Sequence, residues 1–240
     1  MTTRLRVAVV TGAKGDIGRA VVEKLTSDGL TVWGLDVGDA AEAMSTIGAR
    51  FRHCDAQDSD SLATVMANIV SESGSLDVLV NSASARANVG LFSDSDPAAW
   101  AQDMSSFTMA LASTRAALGY LAEGLHPRVV NIGSLSARGT ARMAVYSAAK
   151  AALEGFTSAL ALELGPSGVT VNAVSPGPVE GVRQASRTPE QIAQRLAGIP
   201  LARFATPSEV AATVGFLVSP DADFLSGQSI AVSGGAQVAL

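Results

Sequence analysis

The chain has 240 residues with a net charge of −5, and 48% of its residues are hydrophobic while only 16% are charged. This composition supplies a large core and, with no basic cluster, argues against nucleic acid as a partner. The sequence has no uncharged run of about 18 apolar residues, so we expect no membrane helix and no membrane partner. The chain enters a predicted strand at once, so we expect no signal peptide.

Short apolar runs alternate with helical patterns along the whole chain. Strands are predicted near 5–11, 30–36, 49–54, 76–81, 128–133, 169–174 and 228–233. Helices are predicted near 17–28, 59–73, 97–124, 144–164, 188–197 and 207–218. This alternation predicts an α/β fold: a single-domain, Rossmann-like, doubly wound parallel sheet of about seven strands with helices on both faces, spanning 1–240. The carboxyl ends of such strands form the ligand cleft.

The first predicted strand leads through a glycine-rich turn into a helix. The turn reads Thr11-Gly12-Ala13-Lys14-Gly15-Asp16-Ile17-Gly18. Glycines let a backbone approach a pyrophosphate closely, and a helix N-terminus favours negative charge. The second predicted strand ends at Asp36, eighteen residues after Gly18, which is close to the roughly 20-residue offset of a ribose-binding acid. Alternatively, Asp36 is a turn residue before Gly38.

The strand predicted at 128–133 ends in Gly133-Ser134, twelve residues before Tyr146. A loop of that length allows the Ser134 hydroxyl and the Tyr146 phenol to converge on one substrate oxygen. Serine is also common as a helix cap or turn residue, and Ser136 is a nearby competitor for the same role.

Tyr146 and Lys150 lie four residues apart in a predicted helix, so they share one helix face. A phenol has an ordinary pKa of about 10, and a nearby ammonium favours the phenolate and lowers that pKa. A phenol tuned in this way serves as a general acid or base for a carbinol or carbonyl oxygen. The alternative is a surface tyrosine and lysine on an ordinary helix.

The segment 178–200 contains no motif, although Pro189 is expected to begin a short helix within it. We expect this insertion to be a mobile substrate lid. Cys54 is the only cysteine, which excludes an intrachain disulfide and fits a reducing, cytoplasmic location. Cys54 and His53 lack further ligands, so we expect no metal site.

Taken together, these motifs resemble the short-chain dehydrogenase/reductase family from about Leu5 to Gly235. Besides the turn, Asp36, Ser134 and the Tyr146/Lys150 pair, the resemblance rests on Asp55, Asn81-Ser82-Ala83-Ser84, Asn172-Ala173-Val174-Ser175-Pro176-Gly177, Arg203-Phe204, Glu209-Val210, Ser226-Gly227-Gln228 and Gly234-Gly235.

The resemblance implies reversible hydride transfer between a carbinol carbon and C4 of a nicotinamide. Tyr146 would exchange the substrate proton, Lys150 would tune Tyr146 and bind the nicotinamide ribose, and Ser134 would hold the substrate oxygen. The other cofactor-binding residues would be Gly12, Asp16, Ile17, Gly18, Asp36, Asp55, Ala56, Asn81, Ala83, Pro176, Gly177 and Val179. Asp55 would reach the adenine, Asn81 and Ala83 would line the path to the nicotinamide, and the last three would flank the carboxamide.

The chain departs from the family pattern at a few positions. Asp16 replaces the middle glycine of the turn, Ser82 and Ser84 replace an asparagine and a glycine, and Gly181 replaces a carboxamide-binding threonine. Ser106 stands where the family has the asparagine that helps to hold a water in a proton relay to the lysine.

The sequence therefore predicts an NAD(H)-dependent enzyme that interconverts a secondary alcohol and a ketone and assembles as a homo-oligomer, a tetramer or a dimer. Asp36 would repel a 2′-phosphate and favours NAD, although Lys14 is close enough in sequence to bind that phosphate. The alternative is a dinucleotide-binding sensor or partner subunit with little turnover. Five arginines lie in loops that are expected around the mouth of the pocket. They either are solvated or bind an anionic group of the substrate, and they are Arg86, Arg138, Arg142, Arg183 and Arg187.

Overall fold

The computed structural model describes residues 4–236, except for the side chain of Arg183. Seven strands form one parallel sheet: β1 (Val7–Thr11), β2 (Thr31–Asp36), β3 (Arg50–His53), β4 (Val78–Asn81), β5 (Arg128–Ile132), β6 (Thr170–Pro176) and β7 (Ser229–Val232). The strand order is β3-β2-β1-β4-β5-β6-β7. The order reverses direction between β1 and β4, which is the point where doubly wound sheets open a ligand crevice. The predicted fold class is confirmed.

In the described part of the chain, eight α-helices connect the strands: α1 (Asp16–Ser27), α2 (Ala41–Thr46), α3 (Ser59–Ser73), α4 (Trp100–Leu121), α5 (Ala144–Leu164), α6 (Val182–Ala185), α7 (Pro189–Leu196) and α8 (Pro207–Val218). Helix α4 is shorter at both ends than the predicted 97–124: residues 97–99 form a separate 3₁₀ helix capped by Asp96, and α4 ends at Leu121. Helices α2 and α6 were not predicted, since each is too short to display a helical period.

The two faces of the sheet have separate cores, which explains why the central strands are mostly apolar. In β1, Ala8 and Val10 pack with α1 and α8, whereas Val7 and Val9 pack with α3 and α4. Successive side chains point to opposite faces of a strand, so a strand covered on both sides is apolar at most of its positions. Within residues 4–236, no helix is long and apolar enough to cross a membrane.

The sheet edge at β3 carries two arginines stacked on a buried tryptophan. The guanidinium groups of Arg50 and Arg52 lie 5.1 and 4.6 Å from the ring centroid of Trp33. Arg52 also pairs with Glu72 on α3. A cation held over an indole ring is stabilised by the negative face of the ring, so these charges are fixed along the edge.

Helix α8 begins with a capping box. Thr206 accepts a hydrogen bond from the Glu209 amide, while the Glu209 carboxylate accepts one from the Thr206 amide. Arg203 donates two hydrogen bonds of 2.8 and 2.6 Å to the same carboxylate. These bonds, chiefly those from Arg203, lower the pKa of Glu209 to about 2.

Candidate active site

The parallel strands bring the predicted site residues to one edge of the sheet. Thr11 pairs with Asn81, and Asn81 pairs with Asn131, so the carboxyl ends of β1, β4 and β5 are level. Asp36 is the last residue of β2, and Pro176 is the last residue of β6. Gly12 and Ser134 follow β1 and β5 within two residues. The carboxyl edge therefore collects residues that are far apart in sequence.

Tyr146 and Lys150 are buried residues of α5, the helix that packs against β6. Their exposed fractions are only 8% and 3%, which is not the geometry of a solvated helix surface. Lys150 Nζ donates a 2.9 Å hydrogen bond to the carbonyl of Ile132 at the end of β5, and lies 5.7 Å from the centroid of the Tyr146 ring. A buried ammonium is thus fixed beside the phenol, and the Ile132 carbonyl that holds it lies two residues before Ser134 in the chain.

Ser134 caps the short 3₁₀ helix Leu135–Arg138, as the alternative interpretation of this residue expects, and its role in holding a substrate oxygen stays a prediction. Its Oγ accepts a 3.1 Å hydrogen bond from the Ser136 amide, which leaves its proton available for another acceptor. The competitor Ser136 accepts a hydrogen bond from the Thr140 hydroxyl. The Thr140 amide in turn donates to Ser147, next to Tyr146, which ties the serine loop to the start of α5.

The glycine-rich turn packs tightly against the loop after β4. Gly12 has φ +68°, and a Cβ there would lie 2.7 Å from Ala83 Cα. A Cβ at Gly18 would lie 2.8 Å from the carbonyl carbon of Gly12. Thr11 Oγ1 accepts hydrogen bonds from the amides of Ser82 and Ala83, each of 3.2 Å. The first turn of α1 begins directly behind this cradle, as a pyrophosphate site requires.

Asp36 and Lys14 meet at the end of β2. The Asp36 carboxylate accepts hydrogen bonds from the Lys14 and Gly38 amides, of 3.0 and 2.9 Å. The Lys14 side chain crosses the same turn, because a Cβ at Gly38 would lie 2.9 Å from Lys14 Nζ. The Asp36 carboxylate and the Lys14 ammonium therefore both lie at the turn after β2.

The end of β3 lies beside the end of β2. The Cys54 amide donates to the Asp36 carbonyl at 3.0 Å, which brings Asp55 and the buried Ala56 to the same edge. Asp55 accepts a hydrogen bond from the Gln57 amide. Cys54 is a buried free thiol whose pKa is raised by that burial. Among the described residues, no group of three or more His, Cys, Asp or Glu side chains is placed to hold a metal ion.

Asn81 joins a buried polar network that connects two strands and two helices. Its Nδ2 donates to Thr114 Oγ1 at 2.9 Å and to Asn131 Oδ1 at 2.8 Å, and Asn131 donates to Thr157 Oγ1 at 2.9 Å. Asn81 therefore fixes the ends of β4 and β5 rather than presenting its amide to open solvent. Within residues 4–236, the buried Asn81 Oδ1 and Ser106 Oγ have no hydrogen-bond partner.

The predicted insertion 178–200 covers the Ser134 side of the cleft. Gly177 donates its amide to Val232, and a Cβ at Gly177 would touch the Leu135 side chain. Leu135 packs in a small apolar cluster with Ile192 and Leu196 of α7. Val179 bridges to Ala205, and the Val182 amide donates to Asp16 at 3.2 Å. The segment is thus docked on the site at several points.

The loop arginines differ in their surroundings. Arg142 has φ +69°, and its carbonyl accepts the Gly90 amide. The Arg86 carbonyl accepts a hydrogen bond from Gln102, and Arg187 Nε donates to Gln184. A further arginine, Arg195, was not singled out in the sequence. Burial, and then the charge of Arg187, lower its pKa. Arg138 is the last residue of the 3₁₀ helix Leu135–Arg138, and the side chain of Arg183 lies outside the described part of the chain.

A family model described as enoyl-(acyl carrier protein) reductase matches residues 12–237. The short-chain reductase protein NovJ of Streptomyces niveus is 34% identical over 249 residues, covering 95% of this chain and 93% of NovJ. The 3-oxoacyl-[acyl-carrier-protein] reductase FabG of Vibrio harveyi is 33% identical, covering 96% of both chains. The crystal structure of a blue fluorescent protein from a metagenomic library, in complex with NADPH, is similar with a TM-score of 0.88 and 29% identity, covering 97% of this chain and 98% of that one.

Proposed function

The chain belongs to the short-chain dehydrogenase/reductase family of dinucleotide-dependent oxidoreductases, and from this premise we propose that it interconverts a secondary alcohol and a ketone using NAD(H). One observation carries the proposal. The buried Lys150 ammonium is fixed on the Ile132 carbonyl beside Tyr146, at the carboxyl edge of the sheet and next to Ser134.

In the proposed reaction, Tyr146 Oη takes the hydroxyl proton during alcohol oxidation and returns it during ketone reduction. Lys150 stabilises the phenolate, which is the form of Tyr146 that accepts the proton in oxidation and that remains after reduction, because an opposite charge nearby favours the ionised form. The Ser134 hydroxyl donates a hydrogen bond to the substrate oxygen and orients that oxygen toward Tyr146. Positioning of this kind lowers the entropic part of the barrier.

The residues at the edge fit a dinucleotide. The close approach of Gly12 to Ala83 and the first turn of α1 suit a pyrophosphate, and Asp36 suits the hydroxyls of a ribose. When bound, the nicotinamide supplies or accepts the hydride. Asp55 and Ala56 at the adenine end, and Pro176, Gly177 and Val179 at the nicotinamide end, remain proposed contacts.

We propose NAD(H) over NADP(H) because Asp36 would touch the ribose, and a carboxylate repels a 2′-phosphate. Two observations favour the phosphorylated cofactor instead: Lys14 Nζ lies across the same turn, and one similar solved structure contains NADPH. Measurement of kcat/KM with both cofactors at one ionic strength tests the choice, and equal or better efficiency with NADPH would overturn it.

A second candidate function is dinucleotide binding with little turnover, as in a sensor or partner subunit. The exposed carboxylate of Asp16 at the start of α1 and the unpartnered hydroxyl of Ser106 favour it. Oxidation of NADH and NADPH against a panel of ketones distinguishes the two functions. Tight cofactor binding without turnover on any ketone would support the second, whereas turnover that depends on Tyr146 supports the first.

We also propose a cytoplasmic homo-oligomer, either a tetramer or a dimer. The single cysteine is a buried free thiol, and several large apolar side chains are exposed, including Phe224 completely and Leu162 on α5 to 81%. Exposed apolar groups of this size are typical of association surfaces. Light scattering at micromolar concentration measures the assembly, and a monomer would refute it.

A further inference from the structure

Two positions at which the chain departs from the family pattern, 165 residues apart, are in direct contact. Asp16 opens helix α1, and its Oδ2 accepts a 3.2 Å hydrogen bond from the Val182 amide at the start of α6. A Cβ added at Gly181 would lie 2.7 Å from Asp16 Cγ and closer still to Oδ2. Gly181 also has φ +130°, a conformation that other residues rarely adopt. The carboxylate at 16 and the glycine at 181 therefore form a matched pair.

This contact occupies the end of α1 that a pyrophosphate needs. The first amides of a helix have no intrahelical partner, and the helix dipole makes that end positive. Asp16 already places a carboxylate there, and the Gly181–Val182 backbone lies against that carboxylate. A pyrophosphate arriving at the same end meets a like charge as well as the backbone of the 178–200 segment.

The contacts on either side of α6 do not involve Asp16. Before α6, Glu180 donates its amide to the Ala205 carbonyl at 2.8 Å. After α6, Ile192 and Leu196 of α7 pack against Leu135. Release of Val182 from Asp16 therefore frees the α6 end of the segment while the two flanks stay docked.

We propose that Asp16 and the Gly181–Val182 backbone form a clasp that closes the α6 end of the segment over the start of α1, and that this clasp competes with the pyrophosphate of the dinucleotide. The competition rests on the proposed function, since it requires a dinucleotide at this edge. A protein that must leave its closed state to bind a ligand binds it more weakly, in proportion to the fraction that is open. Asp16 is thus a determinant of cofactor affinity that acts through the substrate segment.

The test uses two measurements on the full chain. Hydrogen exchange at the Val182 amide, without cofactor, reports the clasp, and fluorescence titration with NADH reports the dinucleotide Kd. In Asp16→Gly we expect exchange about threefold faster, the effect of one lost surface hydrogen bond, and NADH binding about fivefold tighter at low salt. The gain in affinity should shrink as salt is raised, because salt screens exposed charges.

Four further variants separate charge from contact. Asp16→Asn keeps a side-chain acceptor without the charge, so exchange should stay near the parent rate while NADH binds more tightly. Gly181→Thr introduces a Cβ where the carboxylate lies, so exchange should accelerate as in Asp16→Gly, and the double variant should show no further acceleration because the two changes break one contact. Glu23→Gln, on the exposed side of α1, removes one negative charge away from the clasp and should alter neither measurement.

Unchanged exchange at Val182 in Asp16→Gly would overturn the clasp. Faster exchange with NADH binding no tighter than in the parent would overturn the competition while leaving the proposed function intact. If neither NADH nor NADPH binds to the parent or to any variant, the proposed function fails and the competition fails with it, and the exchange rates alone then decide whether the contact exists.

Discussion

Replacement of Lys150 by methionine tests the electrostatic core of the proposed mechanism. The ammonium lies 5.7 Å from the centre of the Tyr146 ring. At an effective dielectric constant of about 20, opposite unit charges at this separation attract by about 3 kcal/mol. We therefore expect turnover to fall by about 10²-fold, since about 1.4 kcal/mol corresponds to a factor of ten in rate.

The same change also affects stability. Lys150 Nζ is the donor to the buried Ile132 carbonyl, and an unpaired buried acceptor costs about 1–3 kcal/mol. Removal of a buried charge offsets part of that cost, and domains of this kind typically have about 5–15 kcal/mol in reserve. The methionine variant should therefore remain folded, so that its loss of activity can be assigned to chemistry.

The assay is single-turnover hydride transfer at saturating NADH and ketone, with circular dichroism to monitor folding. Lys150→Arg is the matched control, because it keeps the charge in a different donor geometry, and it should retain more activity than the methionine variant. A folded Lys150→Met enzyme with a rate within about threefold of the parent would refute the electrostatic argument, since a loss of that size is worth less than 1 kcal/mol.

Four further predictions concern other parts of the molecule. Tyr146→Phe should reduce turnover by about 10²–10⁴-fold, the usual contribution of an acid/base group, with NADH Kd nearly unchanged; activity within a few-fold of the parent would remove Tyr146 from the mechanism. Ser106→Asn should retain or raise kcat and Ser106→Ala should change it modestly, whereas a misfolded asparagine variant would contradict the family alignment through α4. Asp36→Ala should narrow the ratio of kcat/KM between NADH and NADPH, and an unchanged ratio would show that Asp36 does not touch the ribose. Hydrogen bonds from Arg203 lower the pKa of Glu209 from 4.5 to about 2, so the stability that its charge provides is present above pH 4.5 and is lost as the pH falls toward 2. The melting temperature of Glu209→Gln should therefore fall less over this range than that of the parent. Parallel curves of melting temperature against pH for the two proteins would contradict this.

The sheet could be predicted from the sequence because its five inner strands are buried on both faces. Such strands appear as short apolar runs, and the polar residues that follow them mark the carboxyl edge. Asp36 and Ser134 were found in this way, each as the first polar side chain after a run. The candidate site residues at strand ends followed from the same logic, since parallel strands end level with one another, whereas Tyr146 and Lys150 followed from their spacing on a helix.

Contacts between distant segments could not be predicted. Asp16 and Gly181 each look like a defect in a motif when considered alone, and only the folded chain places one against the other. The position of the Lys14 ammonium over Gly38 depends on the path of a flexible side chain, which the sequence does not specify. The contact from the Thr140 hydroxyl to Ser136 could not be read from the sequence either, and the choice of Ser134 over Ser136 stays a prediction.

The two edges of the sheet differ in a way that bears on how copies of the chain meet. At β3, the fixed charges of Arg50 and Arg52 discourage the addition of another strand. At β7, residues Ser229–Val232 carry no charge. Among the described residues, β7 forms the one sheet edge without charge, and a second copy that adds a strand there would use up that edge of each partner. Strand addition between copies would therefore stop at a closed pair, and a filament built through the sheet would require the loss of the arginine-covered edge.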